Sequence, residues 1–107
     1  MHHFKFYGSL TELGIDPSGM TYQDFVDKMS INSMLVCAVV PGLGNFIPTD
    51  NICTLTVICT GPDNGSRRYT FEAVAMYGAT DTIYRARYSS PAGTKWTGWR
   101  RVEMTSV

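Results

Sequence analysis

An alternation of apolar and hydroxyl side chains over residues 52–60, with Ile58 as the exception, constrains the fold more than any other feature. Leu55 and Val57 fall on one side of an extended chain, while Thr54 and Thr56 fall on the other. Because successive side chains of a strand point to opposite faces, this period of two predicts a strand with one apolar and one polar face. The apolar face then needs a second layer of structure to cover it.

Further strands are predicted on both sides of this segment. Met34–Val40 is a continuous apolar run, and we predict that it is a strand buried on both faces. The other predicted strands are Ile52–Thr60, Tyr69–Tyr77, Ile83–Tyr88 and Gly98–Met104. Short connections that are rich in Gly, Pro, Asn and Asp separate these strands. Short connections favour antiparallel neighbours.

Two short helices are predicted ahead of the strands. Ser9 and Glu12 have the spacing of a capping box, and Thr21 is a second N-cap residue. The residues that follow Thr21 at helical spacing and should pack on the core are Tyr22, Phe25, Val26 and Met29. The predicted fold class is therefore α+β, with short N-terminal helices packed on a four- to five-stranded antiparallel β-meander. We expect one domain over residues 1–107, with residues 1–7 as a flexible start or a vector-derived remnant.

Composition and charge argue against several classes of protein. Nine basic and nine acidic side chains give a formal net charge of zero, which argues against a dedicated nucleic-acid binder. An apolar share of 44% argues against a disordered chain. The longest apolar run, Met34–Val40, is far shorter than the roughly 20 residues of a membrane-spanning helix. We therefore expect neither nucleic-acid binding nor membrane insertion.

No enzymatic chemistry is predicted, and neither a metal nor a cofactor is expected. The histidines are His2 and His3, at the start of the chain, whereas a nucleophile needs a base within hydrogen-bond reach. Most carboxylates fall in predicted turns or helix caps. Cys37, Cys53 and Cys59 lie in apolar stretches and lack the close spacing of a metal site. We predict that they are buried thiols that pack as small apolar side chains.

Residues 84–102 combine aromatic and basic side chains and offer the best candidate for a binding surface. Trp96 and Trp99 flank Gly98, and arginines lie within or beside the last two predicted strands. In one interpretation the indoles close the end of the core and the arginines cover them. In the other they form an exposed platform for a sugar or a base. If a binding surface is present, the residues predicted to form it are Tyr84, Arg85, Arg87, Trp96, Trp99 and Arg100.

This C-terminal segment resembles the C-terminal knob modules of phage tail fibres and of related pyocin tail fibres. In such modules a strand with Tyr and Arg precedes a Gly-bearing loop, and a segment of the W-S-G-W type ends the chain. The corresponding segment here is Trp96-Thr97-Gly98-Trp99, with Thr97 in place of the usual Ser. Ser9–Ile15 also resembles the opening of some tail-fibre modules.

The resemblance implies a structural component of the virion tail, made in the cytoplasm of a bacterial host. Such modules are usually homotrimers that cap a fibrous shaft or contact a glycan or protein receptor on the host surface. Trimer formation would also relieve the marginal stability of a small domain.

Two other functions remain open from the sequence. A stand-alone carbohydrate-binding module would use the Trp and Tyr rings for stacking and would be a monomer. A single-stranded nucleic-acid binder would use the interleaved Arg and aromatic residues and would bind less tightly as salt is raised. The zero net charge counts against the second of these.

Overall fold

The computed structural model describes residues 4–40, 44–61, 66–77, 80–90 and 95–103. These residues form two short helices and six strands, so the broad α+β class is confirmed, although most of the ordered chain is β. The elements in chain order are β1 (Lys5–Tyr7), α1 (Leu10–Leu13), α2 (Tyr22–Lys28), β2 (Ser33–Val39), β3 (Cys53–Thr60), β4 (Arg67–Tyr77), β5 (Thr80–Ser90) and β6 (Arg100–Val102).

The six strands form one mixed sheet in the order β1-β2-β3-β4-β5-β6. Strands β2 to β6 form an antiparallel meander, as the short connections predicted. The predicted number of four to five strands is wrong, because β1 adds a sixth at the edge. It pairs parallel to β2, since α1 and α2 lie between the two strands in the chain and bring it back in the same direction.

The second half of the predicted flexible start or remnant, Lys5–Tyr7, forms β1. The backbone N–H of Lys5 donates to the carbonyl oxygen of Asn32 at 2.9 Å, and Tyr7 is buried. A buried tyrosine and parallel pairing with β2 hold this segment on the sheet. Residues 1–3 lie outside the described residues.

Both helices begin where the capping signals predicted. Ser9 Oγ accepts from the backbone N–H of Glu12 at 3.2 Å, and α1 ends at Gly14 in the left-handed conformation. The backbone N–H of Thr21 donates to the Asp24 carboxylate at 2.8 Å at the start of α2. These contacts satisfy backbone donors that have no partner within the helix.

One side of the sheet carries the hydrophobic core and is called the covered face. Its central row joins Leu35, Val57, Phe71 and Ala86 across four strands, and all four side chains are buried. The ring of Phe25, from α2, packs edge-on against Phe71 with 5.6 Å between the ring centroids. The alternation along β3 predicted this division correctly, since Leu55 and Val57 are buried with the two cysteines of the strand. Ile58, the exception in the alternation, lies on the other side of the sheet and is half-buried.

The other side of the sheet is called the open face. The row next to the central one joins Phe6, Met34, Ile58, Thr70 and Arg87 across β1 to β5. Directly paired residues share a face of the sheet. None of these five side chains is buried, because no described helix packs on this side.

The prediction that Met34–Val40 is buried on both faces is therefore wrong. Along β2 the burial alternates: Leu35 and Val39 are buried, Val36 is half-buried and Ala38 is exposed. An apolar run has the same appearance in sequence whether its second face is covered or not.

Several predicted turns lie outside the described residues, at positions 41–42, 62–65, 78–79 and 91–94. Within the ranges that the structure describes, no helix is long and apolar enough to cross a membrane.

Candidate functional site

The segment with both tryptophans runs alongside β5 before the chain enters β6. Trp96 forms an isolated bridge with Tyr88 of β5. The backbone N–H of Thr97 donates to the Arg87 carbonyl at 3.0 Å, and the Arg87 N–H donates to Thr97 Oγ1 at 2.9 Å. Thr97 therefore supplies a hydroxyl and an N–H group that fix this segment on the sheet.

Both indole rings lie on the covered face and are half-buried in a cluster of aromatic rings. Trp96 stacks on Tyr22 with 4.6 Å between centroids and 5° between the ring planes. Trp99 stacks on Phe46 at 5.6 Å, and its Nε1–H donates to the Phe46 carbonyl at 2.8 Å. The two indoles meet edge to face at 5.8 Å. These contacts support the interpretation that the tryptophan pair closes the core.

Gly98 explains how two tryptophans three positions apart reach the same side. In a regular strand, residues three apart point to opposite faces. Gly98 has a backbone φ of 78°, in the left-handed region that residues with a Cβ atom rarely adopt. This local reversal of the backbone places Trp96 and Trp99 together over the core.

Tyr84 also lies on the covered face, away from the predicted arginines. It pairs with Ala73 of β4 and with Arg101 of β6 and is half-buried. Its ring packs at the margin of the core, whereas the side chain of the next residue, Arg85, lies on the open face.

The three predicted arginines lie together on the open face. Arg85 is paired across the strands with Arg100 on one side and Glu72 on the other, and Arg85 Nε lies 3.1 Å from Glu72 Oε2. Arg87 follows two residues along β5 and is opposite Thr70. The structure thus divides the predicted set between the two faces of the sheet, with Tyr84 and the tryptophans on one and the arginines on the other.

A fourth arginine, missed from the sequence, extends this group. Arg68 of β4 is exposed and lies two residues from Thr70, so it points to the same face. The alternation Arg68-Tyr69-Thr70 was the signal that could have identified it. We call the group the arginine strip, and its members are Arg68, Arg85, Arg87 and Arg100.

Two shallow concavities lie along the arginine strip. One, of about 550 Å³, includes Arg68 and Ser89 in its lining, and the other, of about 300 Å³, includes Arg85 and Arg100. Thr70 and Arg87 line both, so the two are neighbours, and their lining residues come from β3, β4, β5 and β6. We call the two concavities together the groove.

The opposite end of the open face is apolar. We call it the apolar half, and its members are Phe6, Met34, Val36 and Ile58. Phe6 is 62% exposed, and the other three are only half-buried. The uncovered face of an antiparallel sheet is ordinarily polar. A cluster of large apolar side chains that no other part of the described chain covers is typical of surfaces that contact another molecule.

The buried ionisable groups lie on the covered face, where they stabilise the fold. Tyr69 donates its O–H to the carbonyl of Val26 at 3.2 Å, and Arg67 Nη1 donates to the Met29 carbonyl at 3.2 Å. Burial raises the pKa of the Tyr69 hydroxyl. These bonds join the end of α2 to β4 and leave the tyrosine a neutral hydrogen-bond donor.

The prediction of buried thiols is confirmed for two of the three cysteines. Cys53 and Cys59 are buried and Cys37 is half-buried, and all three are free thiols. Burial raises the pKa of each thiol, which keeps it protonated and unreactive near neutral pH. Within the described residues, no group of three or more His, Cys, Asp or Glu side chains is placed to hold a metal ion.

Comparison with known proteins gives no match to a family model, to a curated protein or to a solved structure.

Proposed function

We propose that this chain is a non-enzymatic module of a phage tail fibre or a related tail-associated protein, which forms a homotrimer in the virion tail. There it caps a fibre, contacts a receptor on the host surface, or does both. The observation that supports this proposal best is the apolar half of the open face, a partly exposed cluster that a second and a third copy of the chain would cover.

Burial of these side chains between copies would stabilise the assembly. A Val, Ile, Met or Phe side chain gains about 1.5–3 kcal/mol when it is removed fully from water. Phe6, Met34 and Ile58 form one continuous row, so their burial needs only one contact surface. Like copies are the favoured partner, because most oligomers of soluble proteins are homo-oligomers with closed symmetry. The resemblance to tail-fibre modules implies that the assembly contains three copies of the chain.

The position of the W-x-G-W segment also supports a structural module over a stacking platform. One ring face of each indole is covered by an aromatic ring of the same chain, Tyr22 for Trp96 and Phe46 for Trp99. A platform for sugar stacking needs ring faces that are free. The alternative of a stand-alone carbohydrate-binding module based on Trp and Tyr stacking therefore has less support.

Measurement of the solution mass tests the proposal. Light scattering on the purified chain should give a solution mass of three times 11.9 kDa, and this mass should not change with protein concentration over a wide range. A mass of 11.9 kDa at every concentration would contradict a trimer held by this surface.

A further inference from the structure

We infer that the arginine strip binds a linear acidic polysaccharide, whose carboxylate or phosphate groups pair with the guanidinium groups. This inference deepens the proposed receptor-binding role and rests on it. It names the chemical class of the receptor and the side of the module that contacts it.

The charge on the strip is concentrated and mostly unneutralised. Four arginines face one carboxylate, Glu72, which gives the strip a net charge of +3 on a chain whose formal net charge is zero. Asp81 lies on the same face of β5, but it is four residues from Arg85, or roughly 13 Å along the strand. Surface charges separated by more than about 10 Å are largely screened at ordinary ionic strength.

The cross-strand pairing brings like charges together. Arg85 lies directly opposite Arg100, an arrangement that disfavours folding unless an anion separates the charges. Glu72 neutralises one of the two. Among the described residues, no ion pair engages Arg68, Arg87 or Arg100. Their guanidinium groups are exposed and available to planar anions, which they bind through two parallel hydrogen bonds.

The shape of the groove favours a chain-like ligand over a single anion. Its two concavities share Thr70 and Arg87 and have lining residues on four strands. Arg85 and Arg87 lie two positions apart on β5, so their Cα atoms are separated by about 7 Å. A polymer with repeated charged groups can engage several arginines at once, whereas one phosphate ion cannot.

The polar groups between the arginines favour a sugar over a nucleic acid. Thr60, Thr70 and Ser89 line the groove and offer hydroxyls that can pair with the hydroxyls of a glycan. Binding of single-stranded nucleic acid relies on stacking of bases on aromatic rings. In the described part of the chain, Trp96 and Trp99 are on the covered face, and no aromatic side chain of the open face lies beside the strip.

The test measures binding of the wild-type chain to polygalacturonate, which carries one carboxylate on each sugar. Dextran, which is uncharged, an oligothymidylate and inorganic phosphate are measured in parallel. The double variant Arg87→Gln/Arg100→Gln removes two charges from the strip. The variant Lys28→Gln removes an exposed charge of the same sign from α2, on the other side of the sheet, and serves as the control.

Wild-type protein should bind polygalacturonate, bind it less tightly as salt is raised, and leave dextran unbound. The double variant should bind at least about tenfold more weakly, because each charge-assisted hydrogen bond to an anion contributes substantially to affinity. The Lys28→Gln variant should bind as the wild type does.

The inference would be overturned by no binding of polygalacturonate, by equal binding of the double variant, or by tighter binding of oligothymidylate. Full displacement of polygalacturonate by inorganic phosphate would also overturn it, since a single anion would then suffice. The solution mass is recorded in the same samples. A trimer that binds no acidic glycan overturns this inference alone, whereas a monomer overturns the proposed assembly.

Discussion

Replacement of Met34 by Glu should convert the proposed trimer into folded monomers of 11.9 kDa. Met34 lies in the middle of the apolar half, between Phe6 and Ile58, and is half-buried in the single chain. In the monomer the new carboxylate can extend into water, so the fold tolerates it. In the assembly it would be buried against apolar side chains without a partner, which costs several kcal/mol. Light scattering gives the mass, and circular dichroism establishes that the variant is folded.

The matched control is Thr70→Glu. Thr70 lies in the same row of the open face, beside Ile58, but belongs to the groove of the arginine strip. The same new side chain at this position should leave the mass unchanged. If both variants remained trimeric, the contact between copies would have to lie elsewhere on the module.

The second large effect is expected at the centre of the aromatic cluster, where Phe71→Ala should lower the free energy of unfolding by about 3–5 kcal/mol. The Phe71 ring is fully buried. The rings that it meets within 6.3 Å between centroids are Phe25, Phe46, Trp96 and Trp99. Alanine would leave a cavity at the point where α2, the loop around Phe46 and the tryptophan pair meet. A loss of this size is a large part of the stability of a small domain.

Denaturant unfolding, followed by tryptophan fluorescence at a fixed protein concentration, measures this loss. The control is Phe4→Ala, the same substitution at a ring that is 51% exposed and outside the strands, where the change should be well under half as large. Equal losses at the two positions would mean that the ring cluster does not hold the tryptophan segment on the core.

Much of the fold could be predicted because local signals and packing agree. The capping residues Ser9 and Thr21 mark both helix starts, and the alternation along β3 matches the division between the covered and the open face. Strand β1 was missed because three residues are too few to show a period. Its pairing with β2 also depends on where α1 and α2 bring the chain, which is a tertiary effect.

Most residues of the candidate site could be named from the sequence, but their division between the two faces of the sheet could be predicted only in part. The alternation along β5 already placed Arg85 and Arg87 on one face of the sheet and Tyr84 on the other. The side taken by the tryptophans depends on the left-handed backbone of Gly98, which spacing alone does not determine. Arg68 joins the strip only through the register of β4 on β5.

We propose that the two halves of the open face have different roles, with the apolar half in contact with other copies and the arginine strip free to bind a ligand. Covalent footprinting of the assembled wild-type protein, read by mass spectrometry, tests it most directly. Met20 and Met29 are each 1% exposed and serve as internal references for methionine oxidation. We predict that Met34 is oxidised as slowly as these two, while an arginine-specific reagent modifies the arginine strip readily. Faster oxidation of Met34 than of the references, or protection of the arginine strip, would contradict the claim.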